Sequence, residues 1–178
     1  MHTRIIGTIL LAGALAFAQT PKTRTRSAQN AQTATQKFVS NAALGGMAEI
    51  EMGKLAVAKA SDPEVKKFGQ KMIDDHGKAN DELKAIASRE GLSFPTSLDA
   101  KHQMTIDRLG KLSGAEFDRA YVKEMVKDHE ADVKEFDRES KSGSNPQVKA
   151  FASKTLPTLQ EHLRLIKDID SRMATKKT

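Results

Sequence analysis

Residues 61–91 read SDPEVKKFGQKMIDDHGKANDELKAIASREG and carry the start, the apolar face and the end of one long helix. Asp62 followed by Pro63 predicts the start, because aspartate caps free backbone N–H groups and proline lacks a donor that the first turn leaves unpaired. Gly91 is typical of a helix end. At 100° per residue, one face collects the apolar side chains. The segment is therefore predicted to be an amphipathic helix with His76 at the centre of its buried face.

The same signals predict three more long helices and one short helix. Residues 144–151 repeat the capped start of residues 61–68, with Asn145 and Pro146 in the places of the aspartate and the proline. A capping box is predicted at Ser113 and Glu116. The predicted helices on either side of residues 62–91 are Gln36–Ala60, Leu98–Leu112, 113–143 and 146–173. These elements predict an all-α fold, a four-helix bundle with a short connecting helix between helices 2 and 3.

The two ends of the chain differ in character from this central part. Residues 1–18 are predicted to be a signal peptide cleaved after Ala18, which would place the protein in the periplasm or outside the cell. The alternative is a membrane anchor, but the apolar run Ile5–Phe17 would span only about 20 Å as a helix, less than a bilayer core. Residues 19–34 are predicted to be a disordered linker, 35–173 the domain, and 174–178 a basic tail.

Composition excludes several classes of function. The chain has no cysteine, which rules out disulfides, thiol nucleophiles and thiolate metal ligands. The net charge of +6 comes from the ends, since all 23 acidic residues lie between Glu49 and Asp170. The basic stretch after the signal could contact nucleic acid or anionic lipid, but a solvated linker is the preferred interpretation. We expect no nucleic-acid partner and no transmembrane segment in the mature chain.

One ionisable residue falls on the apolar face of each long helix. These residues are Glu49, His76, His129 and His162. If the connection between helices 2 and 3 crosses the length of the bundle, all four lie about 11 to 15 residues from the same end. At about 1.5 Å per residue this spread is close to one helical turn. The four side chains are therefore predicted to meet near the middle of the bundle.

Two interpretations of this group are open. Three imidazoles and a carboxylate suit a single zinc, copper or iron ion, and bundle interiors hold such sites. Alternatively, the histidines form a structural polar layer in which each side chain has a protein partner. Asp75, Asp128 and Glu161 each precede a histidine, but neighbours on a helix point 100° apart, so solvation or indirect support of the histidines is expected for them.

Several motifs resemble those of a known family. The motifs are Phe38-Val-Ser-Asn-Ala-Ala with Gly46-Met-Ala-Glu49, Asp75-His76 with Asn80, Phe117-Asp-Arg-Ala-Tyr121 with Asp128-His129, and Leu156-Pro157 with His162. Together they resemble the bacterial ferritin-like proteins of domain of unknown function family 4142, over about residues 36–170. The resemblance implies an exported, ferritin-like four-helix bundle and no particular reaction.

The di-iron site of other ferritin-like proteins is not expected here. That site needs Glu-x-x-His on two helices, which places a carboxylate one turn from each histidine. The residues three positions before His76 and His162 are Ile73 and Leu159. At most one metal ion is therefore predicted, and iron storage is not.

Three functional hypotheses follow. The first is a non-enzymatic envelope protein whose histidine layer is structural, and the second is a mononuclear metal-binding protein. The third is a bundle that binds a small molecule or partner over the small side chains of helix 1. The sequence contains no nucleophile or phosphate-binding motif, so an enzyme is not the preferred class. Homo-oligomerisation stays open.

Overall fold

The computed structural model describes residues 21–175, with side chains from residue 26, and within this range it contains five helices and no strand. The helices are α1 (Pro21–Lys59), α2 (Pro63–Glu90), α3 (Ala100–Gly110), α4 (Gly114–Ser142) and α5 (Pro146–Thr175). The predicted all-α bundle of four long helices with a short connecting helix is confirmed. Among the described residues, no helix combines the length and the hydropathy that a bilayer-spanning helix needs.

The predicted N-terminal helix caps are present at two of three sites, and the predicted C-terminal cap of α2 is present as well. Asp62 accepts a hydrogen bond from the backbone N–H of Glu64 at 2.8 Å, and Gly91 closes α2 in the left-handed conformation. Asn145 accepts from the backbone N–H groups of residues 147 and 148. The capping box at Ser113 is wrong, because that side chain makes no capping hydrogen bond.

The ends of the helices establish the topology. At one end, Asp118 near the start of α4 accepts hydrogen bonds from the α1–α2 turn, including the backbone N–H of Ser61 at 3.1 Å. At the other end, Gln36 of α1 bonds Ser93, just after α2. The connection returns along α1 to the first end, where Lys59 donates to the carbonyl of Gly110. The connection therefore crosses the bundle, and the helix pairs α1–α2 and α4–α5 are antiparallel.

Helix α1 begins at Pro21, earlier than the predicted start at Gln36. The prediction of a disordered linker over residues 19–34 is wrong for residues 21–34, which are helical. This extension contacts the α4–α5 turn, where the hydroxyl of Ser144 donates to the carbonyl of Ala31 and contacts the buried hydroxyl of Thr35. At the other end of the domain α5 includes residues 174–175 of the predicted tail. The predicted signal peptide and its cleavage site lie outside the described residues.

Two apolar clusters fill the bundle, one above and one below its middle. The cluster near the α1–α2 turn includes Met52, Phe68, Met72, Tyr121 and Ile166. The cluster at the opposite end includes Phe38, Leu83, Phe136, Phe151 and Leu159. The candidate polar residues lie at the level between these two clusters.

Candidate metal centre

Three histidines from three helices meet between the apolar clusters. His76 of α2 is 6% exposed, and His129 of α4 and His162 of α5 are fully buried. Their ring centroids lie 5.3 to 5.8 Å apart. One ring nitrogen from each lies within 4.8 Å of the other two. We call these three residues the histidine cluster.

Outward hydrogen bonds fix the orientation of two of the rings. His129 directs Nδ1 at the carbonyl oxygen of Met125, one turn earlier on α4, at 3.0 Å. His162 directs Nε2 at Oδ2 of Asp75 on α2, at 2.9 Å. The remaining nitrogens, His129 Nε2 and His162 Nδ1, face each other at 3.3 Å. The two rings are therefore held from outside, with one nitrogen each pointing to the shared centre.

Glu49 of α1 lies beside the cluster. Its carboxylate is 2% exposed, with Oε2 at 3.1 Å from Nδ1 of His76 and Oε1 at 3.4 Å from Nδ1 of His129. Neither contact has hydrogen-bond geometry, so both oxygens lack a hydrogen-bond partner, as does Nε2 of His76. The hydroxyl of buried Tyr121 has none either. Buried polar atoms without partners are uncommon in native proteins, and here four belong to this one region.

Burial controls the charge of the cluster. Loss of solvent lowers the pKa of His129 to about 3 and lowers the pKa of His76 and of His162 as well. Burial, together with the neighbouring carboxylates Asp132 and Asp128, raises the pKa of Glu49 well above its ordinary value. The imidazoles are therefore neutral near pH 7, which is the form that binds metal ions.

Asp75 is in a different electrostatic situation. Its partial burial raises the pKa, but hydrogen bonds from Lys71 and His162 outweigh that effect and hold the pKa of Asp75 below its ordinary value. Asp75 is therefore ionised near neutral pH. A carboxylate that accepts the outer N–H of an imidazole is the usual support of a metal-binding histidine, since it fixes the ring and raises the basicity of the inner nitrogen.

The structure brings the four candidate residues from the sequence to one level of the bundle, and all four are buried. Sequence reasoning did not find the contact of Asp75 with His162 or the role of the Met125 carbonyl. A backbone carbonyl gives no sequence signal. The position of Asp75 beside His76 was a signal, but the partner is a histidine on another helix, and only packing brings the two together.

Comparisons with known proteins give the fold and the family. Two solved structures are similar at TM-scores of 0.68 and 0.67: a DUF305 fragment from Deinococcus radiodurans and a protein from Streptomyces coelicolor described as "putative secreted protein DUF305". They are 13% and 14% identical to this chain in sequence. The alignments cover 78% and 79% of this chain and 96% and 92% of the two solved chains. At this identity the likeness concerns the fold alone. No curated protein matches the chain. The model of the family described as "Domain of unknown function (DUF4142)" matches residues 20–169, and the chain therefore belongs to that family.

Proposed function

We propose that this protein is an exported metal-binding bundle that holds one first-row transition-metal ion on His76, His129 and His162. The observation that carries the proposal is the pair of inner nitrogens, His129 Nε2 and His162 Nδ1, which face each other at 3.3 Å in the buried interior. Two nitrogens bound to a tetrahedral zinc at about 2.0–2.1 Å are about 3.3 Å apart. The separation is already the one that a shared ion requires.

Proton placement supports the same conclusion. A neutral imidazole carries a proton on only one nitrogen. His162 needs that proton on Nε2, because ionised Asp75 can only accept, and His129 needs it on Nδ1 to donate to the Met125 carbonyl. Both inner nitrogens then present lone pairs, which repel each other across 3.3 Å. A cation between them converts that repulsion into two bonds.

His76 supplies the third ligand in this proposal. Its Nε2 is buried without a partner, and its Nδ1 lies 3.1 Å from Glu49. If Nδ1–H turns toward the carboxylate, Nε2 is left as the ligand. Glu49 then supports the ring of His76, as Asp75 supports that of His162, instead of coordinating the ion itself as a fourth ligand. Three imidazoles with no thiolate suit zinc, copper or iron better than magnesium or calcium.

Zinc titration of the purified, metal-free protein tests this function, with His129→Ala as the disruptive variant and His102→Ala as its matched control. His102 lies on α3 outside the cluster, where it pairs with Asp99. We expect one Zn²⁺ per chain and a rise in Tm for the wild type and for His102→Ala, and neither for His129→Ala. A wild type that binds no zinc, or equal loss in both variants, contradicts the proposal.

Glu49→Gln separates direct coordination from support of His76. Loss of a supporting group weakens metal binding about 10- to 100-fold while one ion per chain still binds. If Glu49 is a ligand, as the sequence analysis allowed, the variant should lose binding as severely as a histidine variant does. The same zinc titration measures both the affinity and the number of ions bound per chain.

The second candidate function is a non-enzymatic envelope protein with a structural histidine layer. It is favoured by the hydrogen bonds that His129 and His162 make with protein groups. In that case His129→Ala destabilises the fold by about 1–3 kcal/mol, since it leaves a buried polar group without its hydrogen-bond partner. Zinc then has no effect on the Tm of any variant.

Export belongs to this proposal in either case. It is supported by the apolar run Ile5–Phe17 and the small residues that end at Ala18. The similar Streptomyces coelicolor protein carries the description "putative secreted protein". Mass spectrometry of the protein from periplasm and medium should find a mature chain that begins at Gln19. A chain that keeps residues 1–18 in the membrane fraction contradicts this part of the proposal.

A further inference from the structure

A pocket of about 170 Å³ lies between α2 and α5, away from the histidine cluster. We call it the α2–α5 pocket. Its apolar part consists of Phe68, Leu165 and Ile169, of which Phe68 and Ile169 are 3% and 5% exposed. An apolar cavity of about 150 Å³ is large enough to hold benzene. The α2–α5 pocket therefore has the volume and the apolar lining for one six-membered ring.

The rest of the wall is charged and has a positive excess. The ionisable side chains in it are Glu64, Lys67, Lys71, Asp168 and Arg172. Lys71 and Asp168 each pair with a residue outside the pocket, Lys71 with Asp75 and Asp168 with Arg164, both at 2.8 Å. Over residues 26–175, no ion pair within 4 Å engages the other three. Two cations, Lys67 and Arg172, therefore remain against one carboxylate, so the pocket favours an anion.

The ring of Phe68 favours an aromatic ligand over an aliphatic one. Its ring contacts are with Tyr121, His129 and His162, at centroid distances of 6.4, 6.0 and 6.2 Å, and none of these three residues lines the pocket. Aromatic pairs prefer offset or edge-to-face arrangements with centroids about 4.5–7 Å apart. A ligand ring in the pocket would give Phe68 a further neighbour of this kind on its other side.

We propose that the α2–α5 pocket binds a small aromatic carboxylate of the benzoate type. The ring of the ligand packs on Phe68, Leu165 and Ile169, and its carboxylate binds to Lys67 and Arg172. Pockets of this kind, with an apolar lining and a few convergent polar groups, are the usual form of a small-molecule site. The inference goes beyond the proposed function and requires no metal ion in the histidine cluster.

Titration with sodium benzoate, followed by two-dimensional NMR of the full mature chain without added metal, tests the proposal. Benzyl alcohol and benzylamine are the neutral and cationic probes with the same ring. The variants are Lys67→Gln, Lys67→Gln/Arg172→Gln and Leu165→Trp, and the matched control is Lys66→Gln. Lys66 is exposed on the same helix and does not line the pocket. Circular dichroism establishes that each variant is folded.

The methyl signals locate the ligand in the wild type. We expect saturable binding of one benzoate per chain, with a Kd on the order of 1 mM for a ligand of this size. The ring current of the ligand should shift the methyl signals of Leu165 and Ile169, and leave those of Leu159, in the opposite apolar cluster, in place. The inference is overturned if benzoate does not saturate or if the Leu165 and Ile169 signals do not move.

The variants and the other probes test the charge and the shape of the site. An exposed charge pair contributes about two- to fivefold in affinity, so Lys67→Gln should bind benzoate about two- to fivefold more weakly and the double variant about five- to 20-fold. Lys66→Gln should bind like the wild type, and Leu165→Trp, which fills the pocket, should not bind. Benzyl alcohol or benzylamine binding as tightly as benzoate, an equal loss in Lys66→Gln, or wild-type affinity in Leu165→Trp would each overturn the inference.

Discussion

The contact between Asp75 and His162 gives the most direct test of how the metal centre is built. Asp75→Asn keeps the size of the side chain and removes the negative charge that accepts the Nε2–H of His162, where the nitrogen and the carboxylate oxygen are 2.9 Å apart. A hydrogen bond to a charged group contributes about 1.5–3 kcal/mol. That agrees with the 10- to 100-fold loss of metal affinity, about 1.4–2.8 kcal/mol, that follows removal of such a support. We therefore expect zinc to bind Asp75→Asn with a Kd raised 10- to 100-fold and with one ion per chain.

The neighbouring residue provides the matched control. Asp74 is exposed and accepts a hydrogen bond from Gln70 at 2.9 Å, so Asp74→Asn removes the same charge from the same helix without touching a histidine. Competition between the protein and a chromophoric zinc chelator measures Kd for both variants. A zinc affinity of Asp75→Asn within twofold of the wild type, or an equal loss of affinity in Asp74→Asn, would show that Asp75 does not support His162 as a ligand.

Three further predictions concern the fold and its charges. Gly53→Ala places a methyl group 2.6 Å from a backbone carbonyl oxygen of α2, so the free energy of unfolding measured in urea should fall by about 1–3 kcal/mol. In the control Gly45→Ala the added methyl group has nothing within 4 Å, so the free energy of unfolding should rise by about 0.5–1 kcal/mol. Asp118→Ala removes the acceptor of the Ser61 N–H and hydroxyl and should cost about 1–3 kcal/mol, seen as a lower Tm; an unchanged Tm would contradict this. The pKa of Glu49 is raised in the metal-free folded protein, so the contribution of Glu49 to stability is present at low pH and is lost as the pH rises and the carboxyl group ionises. Glu49→Gln should therefore make the metal-free protein more stable than the wild type at about pH 8 but not at about pH 4. Thermal unfolding at both pH values checks the sign.

Local signals in the sequence predicted the helices well, because caps and apolar periodicity act within a few residues. Asp62 and Asn145 cap α2 and α5 as expected. The start of α1 was missed for a physical reason. Residues 21–34 have no apolar period, and the contact that supports their helix, between Ala31 or Thr35 and Ser144, joins segments more than 100 residues apart.

The candidate site also has features that the sequence predicts and features that depend on packing. Stripe position and helix length predicted from sequence that Glu49 and the three histidines are buried at one level, since burial on an amphipathic helix depends on periodicity alone. Which nitrogen of each ring faces outward depends on side-chain rotamers and on groups from other helices, such as Asp75 for His162. The contact of Glu49 with His76 and His129 depends on the packing of α1 against α2 and α4. Periodicity along the chain is enough to predict which residues are inside. Packing sets which atoms face one another, because the orientation of a side chain depends on the neighbours that the other helices supply.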